Sequence, residues 1–137
     1  MPGVRPFALI ALLAAAALAG CGTPGADLFV AQRSGSIPGA ALRMRTIDDG
    51  TVICNGRSHD LDSHDLILAR VLGTDLTKFA KRHTSLPPGK SSILRFRIRT
   101  QDGTVAFSDT SIGQPAVFYR AAELIRTIAK GPCGLKR

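Results

Sequence analysis

Apolar side chains run unbroken from Phe7 to Ala19, whereas beyond Cys21 they recur every second residue or at steps of three and four. Period two marks a half-buried strand, and the longer steps mark a helix with one apolar stripe. Asp27 to Arg33 reads as a first strand, closed by Ser34-Gly35-Ser36-Ile37-Pro38-Gly39. Ala41 to Ile47 alternates, with Leu42, Met44 and Thr46 on one side and Arg43, Arg45 and Ile47 on the other. Asp49-Gly50 is a hairpin turn signal, after which Thr51 to Asn55 returns as a third strand carrying Cys54.

A helix follows, capped by Asp62 or Ser63, with Leu68, Leu72, Leu76, Phe79 and Ala80 as its apolar positions. Gly73 predicts a weak point or bend in it, and Lys81, Arg82 and His83 suit its negative end. Pro87-Pro88-Gly89 stops the chain before a second alternating run, in which Leu94, Phe96 and Ile98 oppose Arg95, Arg97 and Arg99 between Ile93 and Thr100. Asp102-Gly103 turns it, and Thr104 to Ser108 returns. In the last helix Pro115 suits the first turn. Val117, Phe118, Ala121, Leu124, Ile125, Ile128 and Ala129 form its stripe, and Gly131-Pro132 ends it.

The order β-β-β-α-β-β-α predicts an α+β fold with one antiparallel sheet of about five strands and two helices on one face. Arg43-Met44-Arg45-Thr46 before Asp49-Gly50-Thr51-Val52 echoes Arg97-Ile98-Arg99-Thr100 before Asp102-Gly103-Thr104-Val105. Duplication of a hairpin-plus-helix unit and convergence around a common turn both explain that echo.

The thirteen apolar residues from Phe7 to Ala19 would span about 20 Å as a helix, short of a hydrocarbon core of about 30 Å. With Arg5 ahead of them, residues 1–20 fit an export signal. Leu18-Ala19-Gly20-Cys21 resembles the bacterial lipobox. That resemblance implies cleavage before Cys21 and a diacylglyceryl group on its sulfur, which makes the membrane a partner of the chain on its extracytoplasmic face. Two acyl chains anchor stably where one holds only marginally. Residues 22–26 then form a short tether, and 27–137 a single α+β domain.

Removal of residues 1–20 leaves 46 apolar residues among 117, enough for one small core. Lys and Arg total 18 against 10 Asp and Glu, and loss of Arg5 leaves a mature charge of about +7. A cation beside a membrane favours anionic lipid headgroups and wall polymers. Nucleic acid is a poor match, because the chain has no Trp and one Tyr on which bases could stack.

With Cys21 lipidated, Cys54 and Cys133 remain, an even pair in an exported chain and so a disulfide candidate. Two free thiols or a metal pair are the alternatives, though no CxxC spacing exists and the histidines lie elsewhere. Alternation sends Arg95, Arg97 and Arg99 to one side of their strand, and Arg43 and Arg45 to one side of theirs. If the two strands lie near each other, the five guanidiniums share the face the helices leave open and form an anion-binding surface. The plainer reading is a solvated sheet face that discourages edge pairing, with its charge offset by carboxylates on neighbouring strands.

His59-Asp60-Leu61-Asp62-Ser63-His64-Asp65 gathers metal-ligating types, and a metal-dependent enzyme built on His59, Asp62 and His64 is the alternative function. All of them fall in one loop at a helix start, however, where acidic residues cap and offset the helix dipole. The expectation is therefore no metal, no cofactor and no catalysis. GxSxG, phosphate-loop and HExxH motifs are absent, Ser108-Asp109-Thr110-Ser111 reads as a turn, and His83 as structural. Ser85-Leu86-Pro87-Pro88-Gly89-Lys90 is a connector, or else the exposed loop of a protease-inhibitor-like module.

Four blocks carry a wider resemblance: Asp27-Leu28-Phe29-Val30, Ser36-Ile37-Pro38-Gly39-Ala40, Asp48-Asp49-Gly50-Thr51-Val52 and Gln114-Pro115-Ala116-Val117-Phe118-Tyr119-Arg120. They are similar to a group of small, uncharacterised lipoproteins of high-GC Gram-positive bacteria. The resemblance implies a compartment and a fold but no activity. The expectation is an anchored extracytoplasmic protein with a binding or structural role at the cell envelope.

Overall fold

The computed structural model describes residues 25–136. The export signal, Cys21 and the first residues of the tether lie outside the described residues. The elements in order are β1 (Asp27–Gly35), β2 (Leu42–Ile47), β3 (Thr51–Cys54), β4 (Arg57–Asp60), α1 (Ser63–Lys81), β5 (Leu94–Thr100), β6 (Gly103–Ser108) and α2 (Ala116–Lys130). They make a single six-stranded sheet in the order β4-β3-β2-β1-β5-β6, and every neighbouring pair is antiparallel. The first strand of the chain is thus central, with one hairpin system on each side.

The sixth strand is β4, in a stretch expected to be loop. Asn55 and Gly56 both have positive φ, 48° and 84°, as the two central residues of a type I′ turn require. The turn returns the chain so that Cys54 faces Arg57 and Thr51 faces Asp60. His59 and Asp60 therefore belong to a strand, while Asp62 caps the helix. Its Oδ1 accepts a hydrogen bond from the Asp65 N–H at 2.8 Å.

Both helices pack on one face of the sheet. Phe29, Ala31, Met44, Val52, Phe96 and Ile98 point from the strands into the same core as Leu72 and Leu76 of α1 and Phe118 and Ile125 of α2. Phe118 joins the layers, stacking on Phe107 at 4.6 Å between ring centroids and meeting Phe79 edge-on at 5.4 Å. One expectation for α1 needs correction. Leu68 is 42% exposed, so the buried stripe is Asp65, Ala69, Leu72, Leu76 and Ala80. α1 runs continuously through Gly73, where a Cβ would sit 3.6 Å from the Leu28 carbonyl of β1.

A disulfide joins Cys54 on β3 to Cys133 beyond α2, with 5.9 Å between their Cα atoms. It fixes the direction of α2, which begins beside β6 and ends over the opposite half of the sheet. The segment after α1 is also tied down: Leu86 N–H donates to the Ala106 carbonyl, and Ala106 N–H to that of Thr84, covering the outer edge of β6. All strands, both helices and the disulfide fall between Asp27 and Cys133, so a chain starting at Gly22 contains every element of this core. Among the described residues no helix is long and apolar enough to cross a membrane.

Candidate functional site

The sheet topology brings the two arginine runs to either side of one strand. β2 and β5 flank β1, so Val30 lies between Arg45 and Arg99, Gln32 between Arg43 and Arg97, and Ser34 beside Arg95. Residues opposite one another in a ladder point to the same face. All five arginines therefore stand on the open face, exposed, while Met44, Phe96 and Ile98 between them are buried under the helices. Strands two apart are separated by about 10 Å and same-face residues on a strand by about 7 Å. The guanidiniums are thus distributed over one patch.

One of the five is neutralised. Arg45 Nε donates to Asp27 Oδ1 at 2.6 Å. Among the described residues no carboxylate comes within 4.0 Å of Arg43, Arg95, Arg97 or Arg99. The other face residues of β3 and β6 are uncharged (Ile53, Thr104, Ala106), and Asp60 sits on β4, at the sheet edge beyond β3 and β2. The offset expected from neighbouring strands is limited to Asp27. Gly25 and Ala26 border a surface depression together with Val30, Arg45 and Arg99. The described chain therefore begins at the edge of the arginine patch.

A sixth strand arginine behaves differently. Arg33 shares the parity of Phe29 and Ala31 and points into the helix layer, 5% exposed. Its Nε donates to the Ala40 carbonyl at 2.9 Å and its Nη2 to that of Gly39 at 3.2 Å, which holds the β1–β2 loop against the strand. Burial lowers its pKa from the ordinary arginine value by desolvation. A charged residue at a strand position is read as outward-facing by default, and only the parity of Phe29 and Ala31 signals otherwise.

The acidic and histidine cluster is divided by the fold. Asp62, His64 and Asp65 place one ligand atom each within 4.8 Å of one another, whereas His59 sits on β4 and outside that group. Within the three, Asp62 is occupied by the helix cap and His64 Nδ1 lies 3.6 Å from Asp65 Oδ1. These contacts are those of a helix N-terminus. In the Ser108–Ser111 turn the hydroxyls serve the loop: Ser111 Oγ receives the Ser108 N–H at 2.8 Å and donates to the Pro87 carbonyl at 2.9 Å. Asp109 accepts the Ile93 N–H and the Ser92 hydroxyl. No family model, curated protein or solved structure matches this chain.

Proposed function

We propose that this protein is a lipid-anchored component of an extracytoplasmic membrane surface whose arginine face binds anionic headgroups of the bilayer that holds Cys21. One observation carries the reading: four arginines without a carboxylate partner share the sheet face at whose edge the described chain begins. A tether of residues 22–26 is too short to carry the body far from its acyl chains. It reaches at most about 18 Å at 3.6 Å per residue. Anchor and patch then act on the same surface, the acyl chains through burial and the guanidiniums through forked bonds to phosphate.

Residues 22–137, lacking the anchor, isolate the electrostatic part. Sedimentation with vesicles rich in anionic lipid should carry the protein down at low salt and release it as salt rises, while neutral vesicles leave it in solution. Each basic side chain at an anionic surface contributes about 1 kcal/mol, so replacing Arg95, Arg97 and Arg99 with Ser should weaken partitioning on the order of a hundredfold. Unchanged binding with an unchanged salt slope would refute the reading. Retention on a phosphodiester wall polymer but not on vesicles would reassign the face to the wall.

A further inference from the structure

On the opposite side of the sheet from the arginine face, α2 does not close completely on the strands. It leaves a cleft of about 570 Å³, within the range of small-molecule sites. Its floor is the ladder row Arg33, Phe96 and Phe107, with Leu94 beside it. Its wall is one stripe of α2, formed by Tyr119, Ala122, Glu123, Arg126 and Lys130, whose spacing of three and four residues keeps them on one side of the helix. The β1–β2 loop closes one end at Ile37 and Ala40, and the β6–α2 loop closes the other at Gln114.

The direction of α2 makes this cleft chemically polar. The helix starts where Gln114 donates to the Ser108 carbonyl of β6, and it ends three residues before the Cys133 bridge to β3. Arg126 and Lys130, on its last turns, therefore lie at the β1 end, as does Arg33. Tyr119 and Phe107 lie at the β6 end with the apolar floor. From Tyr119 to Lys130 the helix covers about 16 Å. Among the described residues neither Arg126 nor Lys130 forms an ion pair. Asp109, at the other end, is taken up by the Ile93 N–H and the Ser92 hydroxyl, and Glu123 stands exposed at the middle of the rim.

We infer that this cleft is a binding site for a single-chain anionic amphiphile, its apolar body against Phe96, Phe107 and Tyr119 and its carboxylate or phosphate at Arg126 and Lys130. A neutral chain would leave the cationic end unmatched, and a cationic one would be repelled by it. An anion with no apolar body would leave the accessible apolar lining, Ile37, Leu94 and Tyr119, in water. The site is separate from the proposed membrane contact, because it opens on the helix side.

Calorimetric titration of residues 22–137 with decanoate, decyl phosphate, decanol and decyltrimethylammonium tests this. One equivalent of decanoate or decyl phosphate should bind, the tighter of the two identifying the head, with decanol and the ammonium compound at least tenfold weaker. Ala122→Trp, on the half-buried cleft wall, should fill the space and weaken both anions at least tenfold. Arg126→Glu with Lys130→Glu, both exposed, should weaken the anions without changing decanol. Decanol binding as tightly as decanoate, anion binding indifferent to Ala122→Trp, or no binding by either anion would overturn the inference. The variant with Arg95, Arg97 and Arg99 replaced by Ser should bind decanoate normally, so failure of the membrane reading and failure of this one are told apart.

Discussion

Cutting the bond between Cys54 and Cys133 tests how much of this fold is held by topology rather than by core size. The bridge spans 79 residues of sequence. In the chain-entropy relation a 15-residue loop is worth about 3 kcal/mol and a 100-residue loop about 4.7, so this closure contributes about 4.5 kcal/mol. Both cysteines are buried, at 4% and 8% exposure, and as thiols they remain small apolar side chains in the same places. Reduction should therefore remove the constraint on the unfolded chain and leave native packing nearly intact. The assay is urea unfolding of residues 22–137, oxidised and fully reduced, followed by circular dichroism. With a denaturant slope of about 1.5 kcal/mol/M, the midpoint should fall by about 3 M. Cys54→Ala alone and Cys133→Ala alone should each cost nearly as much as the pair, because either one opens the whole loop. Midpoints within about 0.5 M of each other, or single substitutions that simply add, would refute the reasoning.

Three further outcomes follow from backbone geometry and from an orphaned hydroxyl. Gly103 has φ of 144°, and a Cβ there would come 2.2 Å from the Ala80 carbonyl oxygen, so Gly103→Ala should cost about 3–4 kcal/mol by thermal unfolding. Gly113, also at positive φ but with open space around it, should cost only about 1–2 kcal/mol on the same change. Thr46 is fully buried between the layers and its Oγ1 has no protein partner among the described residues. Thr46→Val should therefore raise stability by about 1 kcal/mol, and a loss measured by the same urea titration would show that the hydroxyl is satisfied.

The elements legible in advance were those whose pattern is carried by side chains. Arg95, Phe96, Arg97, Ile98 and Arg99 alternate so regularly that strand, face and exposure all follow, and the α2 stripe from Val117 to Ala129 is buried in full. β4 carries no alternating pattern, because its residues are polar on both faces. His59 and Asp60 match metal-ligating types, whereas the informative signal is Asn55-Gly56, directly before the strand. Leu68 fits a helical stripe in sequence, but α1 turns Ala69 and Leu72 toward the sheet and leaves Leu68 at the rim. The sequence poses the closeness of the two arginine strands only as a condition, and their places on either side of β1 come from the fold. Which strands adjoin is decided by pairing across long separations, which local periodicity does not encode. The cleft was out of reach for the same reason, since its floor and wall come from three strands and a helix.

The central place of β1 has a mechanical consequence. It is paired along most of its length with β2 on one side and β5 on the other, and the chain enters it from the N-terminal end. A pull at that end is directed along the strand, so both ladders resist in shear and their hydrogen bonds load together. An edge strand pulled across its ladder would peel one bond at a time. A body tugged by its leading residues along this strand therefore loads two ladders at once.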